Sequence, residues 1–264
     1  MIKLFATDLD GTLFRNYSTI LEEDKRAMHM LHDHQITLTI ATGRSDNEIQ
    51  EIFKLLNLNG NRISQNGSFV HNADGELLHE QTFSPELSQT LYREIEKHGI
   101  NYLVSTKDHI MTKDKNDFFK KYEDVFFFPL VESQAFDTEI GKTIIPSKFM
   151  IVGETPEVSA VQAELAKQYE GAMESYLSDP SCVDLVPKGI SKGTALDRLL
   201  KTIDTAPEEI AVIGDSFNDI SMFQMTPHSY AMASAHPDVK KHANYVVEHV
   251  HEAVADLKTK GLLG

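Results

Sequence analysis

A chain of 264 residues, 41% hydrophobic and 25% charged, has enough apolar mass for one large or two modest globular domains. Its net charge of -15 leaves no basic stripe to neutralise phosphates or anionic lipid, so neither nucleic acid nor a membrane surface is an expected partner. Cys182 is the only cysteine, so no intrachain disulfide can form; with no N-terminal targeting pattern and no apolar run of membrane-spanning length, a cytoplasmic location is expected.

Residues 4–12 read Leu4-Phe5-Ala6-Thr7-Asp8-Leu9-Asp10-Gly11-Thr12. An apolar run ending in two carboxylates and a glycine has the pattern of a buried parallel strand that breaks at the rim of a sheet, where ligands bind. Side chains alternate along a strand, so Asp8 and Asp10 leave on the same side, and two like charges there call for a cation or an acid/base task. Oxygen-only ligands favour Mg²⁺ over zinc. An acidic turn on Asp10-Gly11 is the plain alternative, and it leaves Asp8 unexplained.

A helix is expected over residues 21–34 and a strand over 36–41, ending in Thr42-Gly43-Arg44-Ser45-Asp46. Ser45 has the position of a cap for a helix through residue 56. A short strand at 62–64 is broken by Gln65-Asn66-Gly67-Ser68, and residues 69–71 and 76–78 flank a turn at Asn72-Ala73-Asp74-Gly75 as a β-hairpin. From about residue 84 the pattern changes. It predicts a helix at 85–98, a strand at 100–105, a charged helical segment at 113–123 and a strand at 148–153. A helix at 156–170 and strands at 173–177 and 182–186 follow. The apolar stretch Val125-Phe126-Phe127-Phe128-Pro129 is expected to pack under the charged segment, and Cys182 to pack in its strand. The first pattern returns with a helix at 191–200, opened by Lys192-Gly193, and a strand at 210–213. That strand breaks in Gly214-Asp215-Ser216-Phe217-Asn218-Asp219. Weak strands at 229–233 and 244–247 and a helix at 250–258 complete the chain. His249 and His251 show no partnered acid, and His29, His32 and His34 read as a solvated helix face. The fold class is therefore α/β, a Rossmann-like parallel-sheet core formed by residues 1–83 and 189–264 with an inserted α+β module at 84–188.

All carboxyl ends of a parallel sheet share one edge, so Asp8 and Asp10, Thr42 and Gly43, and Asp215 to Asp219 should converge there, with Lys192 at a helix start beside them. Acids that hold a divalent cation and donors that hold an anion are what phosphoryl transfer requires. Asp8 and Asp215 would bind the metal, and a carboxylate beside it can attack phosphorus to form an aspartyl-phosphate. Asp10 could then protonate the leaving oxygen and deprotonate the resolving water. Thr42, the Gly43 amide, Lys192 and Asn218 could supply donors to the phosphoryl oxygens.

Carried by these four ordered motifs, the chain resembles the haloacid dehalogenase superfamily. Within it, the chain is similar to the Cof-like hydrolases and sugar phosphatases with a type IIB cap. The resemblance implies a core at 1–83 and 189–264, with a substrate-selecting cap at 84–188 and Mg²⁺ as cofactor. It implies that Asp8 is the nucleophile and a metal ligand, and that Asp10 is the acid/base, its carbonyl also on the metal. The Leu9 amide, Thr42, Gly43, Lys192 and Asn218 would bind the phosphoryl group, and Asp215 would be the third ligand. Ser216 would contribute to the metal environment, Asp219 would support that shell or orient Lys192, and Asn66 would lie near the substrate. Arg44 stays open between the phosphate, the cap and an acid behind the sheet. The activity implied is hydrolysis of phosphate monoesters of small metabolites, sugar phosphates first. A phosphomutase or other phosphotransferase using the same chemistry is the alternative, and a phosphoacceptor or binding module stands behind it. Oligomeric state is not legible.

Overall fold

The apolar run at the start of the chain becomes β1 (Leu4–Thr7), all four residues of which are buried. The computed structural model describes residues 1–16, 19–122 and 127–264, with side chains other than those of residues 121 and 122. The chain continues through α1 (Glu22–Asp33), β2 (Thr37–Ala41), α2 (Asp46–Leu56), β3 (Gly60–Ser64), β4 (Phe69–His71) and β5 (Leu77–Glu80). Next come α3 (Pro85–His98), β6 (Asn101–Ser105), β7 (Ile110–Thr112), α4 (Asp117–Tyr122), β8 (Val131–Glu132), α5 (Phe136–Glu139), β9 (Lys148–Val152), α6 (Thr155–Gln168), β10 (Met173–Asp179) and β11 (Cys182–Pro187). The last part holds α7 (Lys192–Thr202), β12 (Ile210–Gly214), α8 (Ile220–Phe223), β13 (Ser229–Met232), α9 (Pro237–Lys240), β14 (Tyr245–Val247) and α10 (Val250–Thr259). No helix among the described residues is long and apolar enough to cross a membrane.

The chain forms two compact units. One is Met1–His79 with Ser191–Gly264, and the other is Glu80–Ile190. The first is built on an eight-stranded sheet in the order β14-β13-β12-β1-β2-β3-β4-β5. Its pairings from β14 to β3 are parallel, and β4 returns antiparallel on β3. Leu196, Leu199 and Leu200 of α7 pack with Leu4, Ala6 and Val212 of the sheet, the apolar stripe of an amphipathic helix meeting a sheet face. Helix α2 starts where Ser45 accepts from the Glu48 amide while the Glu48 carboxylate accepts from the Ser45 amide, a reciprocal cap that satisfies two orphan donors. Strand β3 begins at Gly60, two residues earlier than the periodicity predicts. A Cβ at Gly60 would lie 2.4 Å from the Leu38 carbonyl oxygen, so only glycine lets the strands pair so closely there.

The second unit is built on a six-stranded sheet in the order β10-β11-β9-β6-β7-β8, antiparallel except between β7 and β8. Leu91, Ile95, Val104, Phe149, Val158 and Leu185 belong to its apolar core. Strands β7 and β8 and helix α5 escape sequence periodicity because they are two to four residues long and are held by neighbours rather than by local preference. In the apolar stretch at 125–129, residues 125 and 126 lie outside the described residues. Phe128 is 44% exposed, so the expected packing fails there, and Leu130 takes the buried place beside Phe119 and Met150. His251 also departs from expectation. Its Nδ1 and its amide both lie 2.8 Å from Oδ1 of the buried Asp24, a pairing across 227 residues that no local pattern announces.

Candidate active site

Four strand ends of the first unit, those of β1, β2, β3 and β12, build the site with the start of α7. The Asp8 amide donates to Ile213 of the neighbouring strand at 3.0 Å, which places Asp8 just past β1 as Asp215 stands just past β12. A carboxylate oxygen from each of Asp8, Asp215 and Asp219 lies within 4.8 Å of the others. Lys192, the first residue of α7, has a fully buried side chain and donates to Asp8 Oδ1 at 2.6 Å and to Asp219 Oδ1 at 2.7 Å. The Ser191–Thr194 capping pair fixes that helix start, so the ammonium is aimed by a rigid element.

Asp219 has both oxygens engaged: Oδ1 by Lys192, and Oδ2 by the amides of Asp215 and Ser216 at 2.9 and 3.0 Å. It holds the loop that carries Asp215. Gly214 is required beside it, because a Cβ there would meet the Asp219 carboxyl carbon at 2.3 Å. Thr12 donates to Asp215 Oδ1 at 3.0 Å. Leu9 is buried, and its carbonyl accepts from the amides of Thr12 and Phe14.

The remaining expected residues form two attached groups. Asn218 Nδ2 donates to Asn66 Oδ1 at 3.0 Å, and the Asn66 amide donates to the Thr42 carbonyl at 2.9 Å, linking the breaks after β12, β3 and β2. Asn66 has φ +58°, a left-handed conformation that asparagine tolerates. Asn218 Oδ1 is buried without a protein partner. Gly43 is half-buried beside Thr42. Arg44 touches the Thr42 group through its backbone, its amide donating to Thr42 Oγ1 at 3.2 Å, while its guanidinium turns to Asp10. Its Nε and Nη2 donate to Oδ2 and Oδ1 of Asp10 at 2.7 and 2.6 Å, and Nη1 reaches Glu48 Oε1 at 3.2 Å. The acid that Arg44 meets is thus the one at the strand end itself. Two residues without an expected role enter here. Thr12 ends the first motif, and the Ser-x-x-Glu spacing of a capping box is the signal that could have pointed to Glu48.

Burial pushes the Asp8 carboxyl well above its usual range, with Asp219 and Asp215 adding to the rise and Lys192 opposing it. Burial likewise pushes Asp215 up to about 7, with Asp219 adding. For Lys192, burial would lower the ammonium, but Asp219 and Asp8 hold it above its ordinary range. Three carboxylates face one ammonium, so the excess negative charge adds to the burial that raises the two acids. Buried, oxygen-only and anionic, the cluster fits a hard divalent cation, with Asp8 and Asp215 the carboxylates best placed to hold it.

The family profile described as haloacid dehalogenase-like hydrolase matches residues 5–257. The chain is 28% identical over 244 residues to the HMP-PP phosphatase of Yersinia pseudotuberculosis, covering 91% of this chain and 87% of that protein. A haloacid dehalogenase-like hydrolase from Bacteroides thetaiotaomicron superposes with a TM-score of 0.85 at 28% identity, over 97% of this chain and 100% of that one. A subclass IIB sugar phosphatase shares the fold, with a TM-score of 0.81 at 23% identity over 98% and 99% of the two chains.

Proposed function

This chain belongs to the haloacid dehalogenase-like hydrolases, and from that premise we propose that it is a Mg²⁺-dependent cytoplasmic phosphatase of small phosphorylated metabolites, sugar phosphates first among them. The name of the Yersinia relative, a phosphatase, supports the reaction class. The observation that carries the reading is Asp8, bonded at 2.6 Å to a buried lysine and grouped with Asp215. That environment holds a carboxylate ready to attack an electrophile whose negative charge is neutralised beside it.

In the first step an Asp8 oxygen forms a bond to phosphorus while the ester P–O bond breaks, and the Asp10 carboxyl gives its proton to the departing oxygen. In the second step a water oxygen attacks the aspartyl-phosphate, its proton passes to Asp10, and inorganic phosphate leaves with Asp8 restored. Lys192, Thr42, the Leu9 and Gly43 amides and Asn218 steady the phosphoryl oxygens. Asn66 supports Asn218 and lies toward the substrate, and Asp219 keeps Lys192 and the Asp215 loop in place. Mg²⁺ held by Asp8 and Asp215, with the Asp10 carbonyl and Ser216 contributing, would supply charge neutralisation for the transferred group. The inserted unit serves as the cap that selects the substrate and excludes water.

Phosphate release from a panel of phosphorylated sugars, nucleotides and p-nitrophenyl phosphate tests this, with Mg²⁺ or with chelator, for wild type and Asp8→Asn. Release should need the metal and fall at least about 10³-fold in Asp8→Asn, the loss usual for a covalent nucleophile. Activity retained in that variant would overturn the assignment of Asp8. Transfer to a sugar-phosphate hydroxyl instead of water would make the protein a mutase.

A further inference from the structure

We infer that Arg44 is a positioning residue that clamps the Asp10 carboxylate in the orientation from which it exchanges protons with the reacting oxygens, and that it does not bind the substrate phosphate. The inference rests on the proposed phosphatase chemistry of Asp10. Its evidence is the geometry of one network. Arg44 presents two adjacent donors to the two oxygens of Asp10 at 2.7 and 2.6 Å. This parallel fork fixes the carboxylate plane as well as its position, which a single point charge cannot do.

The clamp is itself held. Arg44 Nη1 lies 3.2 Å from Glu48 Oε1, and the guanidinium sits over the Phe14 ring at 5.4 Å. The Glu48 carboxylate also accepts from the amide and hydroxyl of Ser45, so it is locked into the start of α2. The Arg44 side chain is 8% exposed and that of Glu48 is 2% exposed. The Asp10 side chain is 31% exposed. Asp10 is thus gripped from the buried side and open on the other. A guanidinium with two donors spent on Asp10 and a third near Glu48 is oriented toward the acid/base, whereas a phosphate-binding arginine would point its fork at the ligand. The run from the α2 cap through Glu48 and Arg44 to Asp10 makes the acid/base orientation a property of a helix terminus rather than of a mobile loop.

The test compares Arg44→Gln, Arg44→Lys, Asp10→Asn and the double variant Asp10→Asn/Arg44→Gln by steady-state kinetics on the best ester of the panel, with thermal melts of each. Arg44→Gln should lower kcat by roughly 10- to 100-fold, part of the 10²- to 10⁴-fold that a positioned acid/base provides, and leave KM within about twofold. Arg44→Lys keeps the charge but loses the fork, and should recover only a minor part of the loss. The double variant should be no slower than Asp10→Asn, because a residue acting through Asp10 has nothing left to act on. The inference is overturned if KM rises while kcat holds, if the two losses multiply in the double variant, or if Arg44→Lys restores full kcat. If Arg44→Gln fails to fold, Arg44→Lys against Asp10→Asn/Arg44→Lys gives the same comparison. Failure of the phosphatase reading looks different, since wild type itself would then release no phosphate or Asp8→Asn would remain active.

Discussion

Lys192 shows how much one residue carries. Its ammonium is buried between Asp8 and Asp219, with no exposed side-chain surface, and it is the cation that makes the burial of those acids tolerable. Replacing it with methionine keeps the volume and removes the charge. Lys192→Met should abolish phosphate release, and it should destabilise the protein by about 3–5 kcal/mol, the cost of leaving a buried carboxylate without its partner. Urea denaturation of wild type and variant checks this, and an unchanged midpoint would mean that the acids are neutral in the folded protein. At this scale Asp8, Asp10, Lys192 and Asp215 were legible in the sequence because each stands where a regular element starts or stops. The partner of Arg44 was not legible. Arg44 and Asp10 are 34 residues apart, and only the pairing of β1 with β2 brings the two breaks together. Gly214 is a similar case, since its need for a missing Cβ depends on where Asp219 folds back.

Among the elements, α2 gives the clearest link from sequence to energetics. Ser45 announced its start, and the structure adds what anchors it. Asp46, its first residue, meets Arg62 Nε at 2.8 Å and His71 Nδ1 at 3.1 Å, and accepts from Gln50 at 2.7 Å. Burial would raise the Asp46 carboxyl, but the His71 imidazole and the Arg62 guanidinium beside it outweigh burial and hold it at about 2. A carboxyl depressed in the folded state contributes stability that is present above its unfolded range near 4 and is lost as the pH falls through about 2. The contribution is about 2 kcal/mol, from the size of that depression. Asp46→Asn should therefore be less stable than wild type by about that amount at pH 6, and the gap should close between about pH 4 and pH 2. A gap that stays constant down to pH 2 would show that packing, not charge, connects α2 to β3 and β4. The neighbouring β4 and β5 were legible from Asn72 to Gly75, where Gly75 has φ +86° and Asn72 accepts from the Glu76 amide. Strands β7 and β8 and helix α5 were not, because their two to four residues carry no period of their own.

At the scale of the whole molecule, the parallel sheet was legible from repeated apolar runs ending in polar breaks. Its strand order was not, since which strand lies beside β1 is decided by packing across more than 200 residues. The same scale holds the charge argument. A chain of net charge -15 gains some stability from any salt through screening. A specific cation site makes a separate contribution, because an ion bound only by the folded state stabilises it by mass action, about 2.7 kcal/mol at a hundredfold excess over Kd. Mg²⁺ at that excess should raise the unfolding midpoint by roughly 5–10 °C, given the few degrees per kcal/mol usual for domains of this size. Potassium chloride at matched ionic strength supplies the screening without the site and should give a smaller rise. Asp215→Asn removes a proposed ligand, and in that variant the difference between the two salts should disappear while the common rise remains. Equal shifts from both salts in wild type would assign the whole effect to surface charge, and the acid cluster would then have to be held together by Lys192 alone.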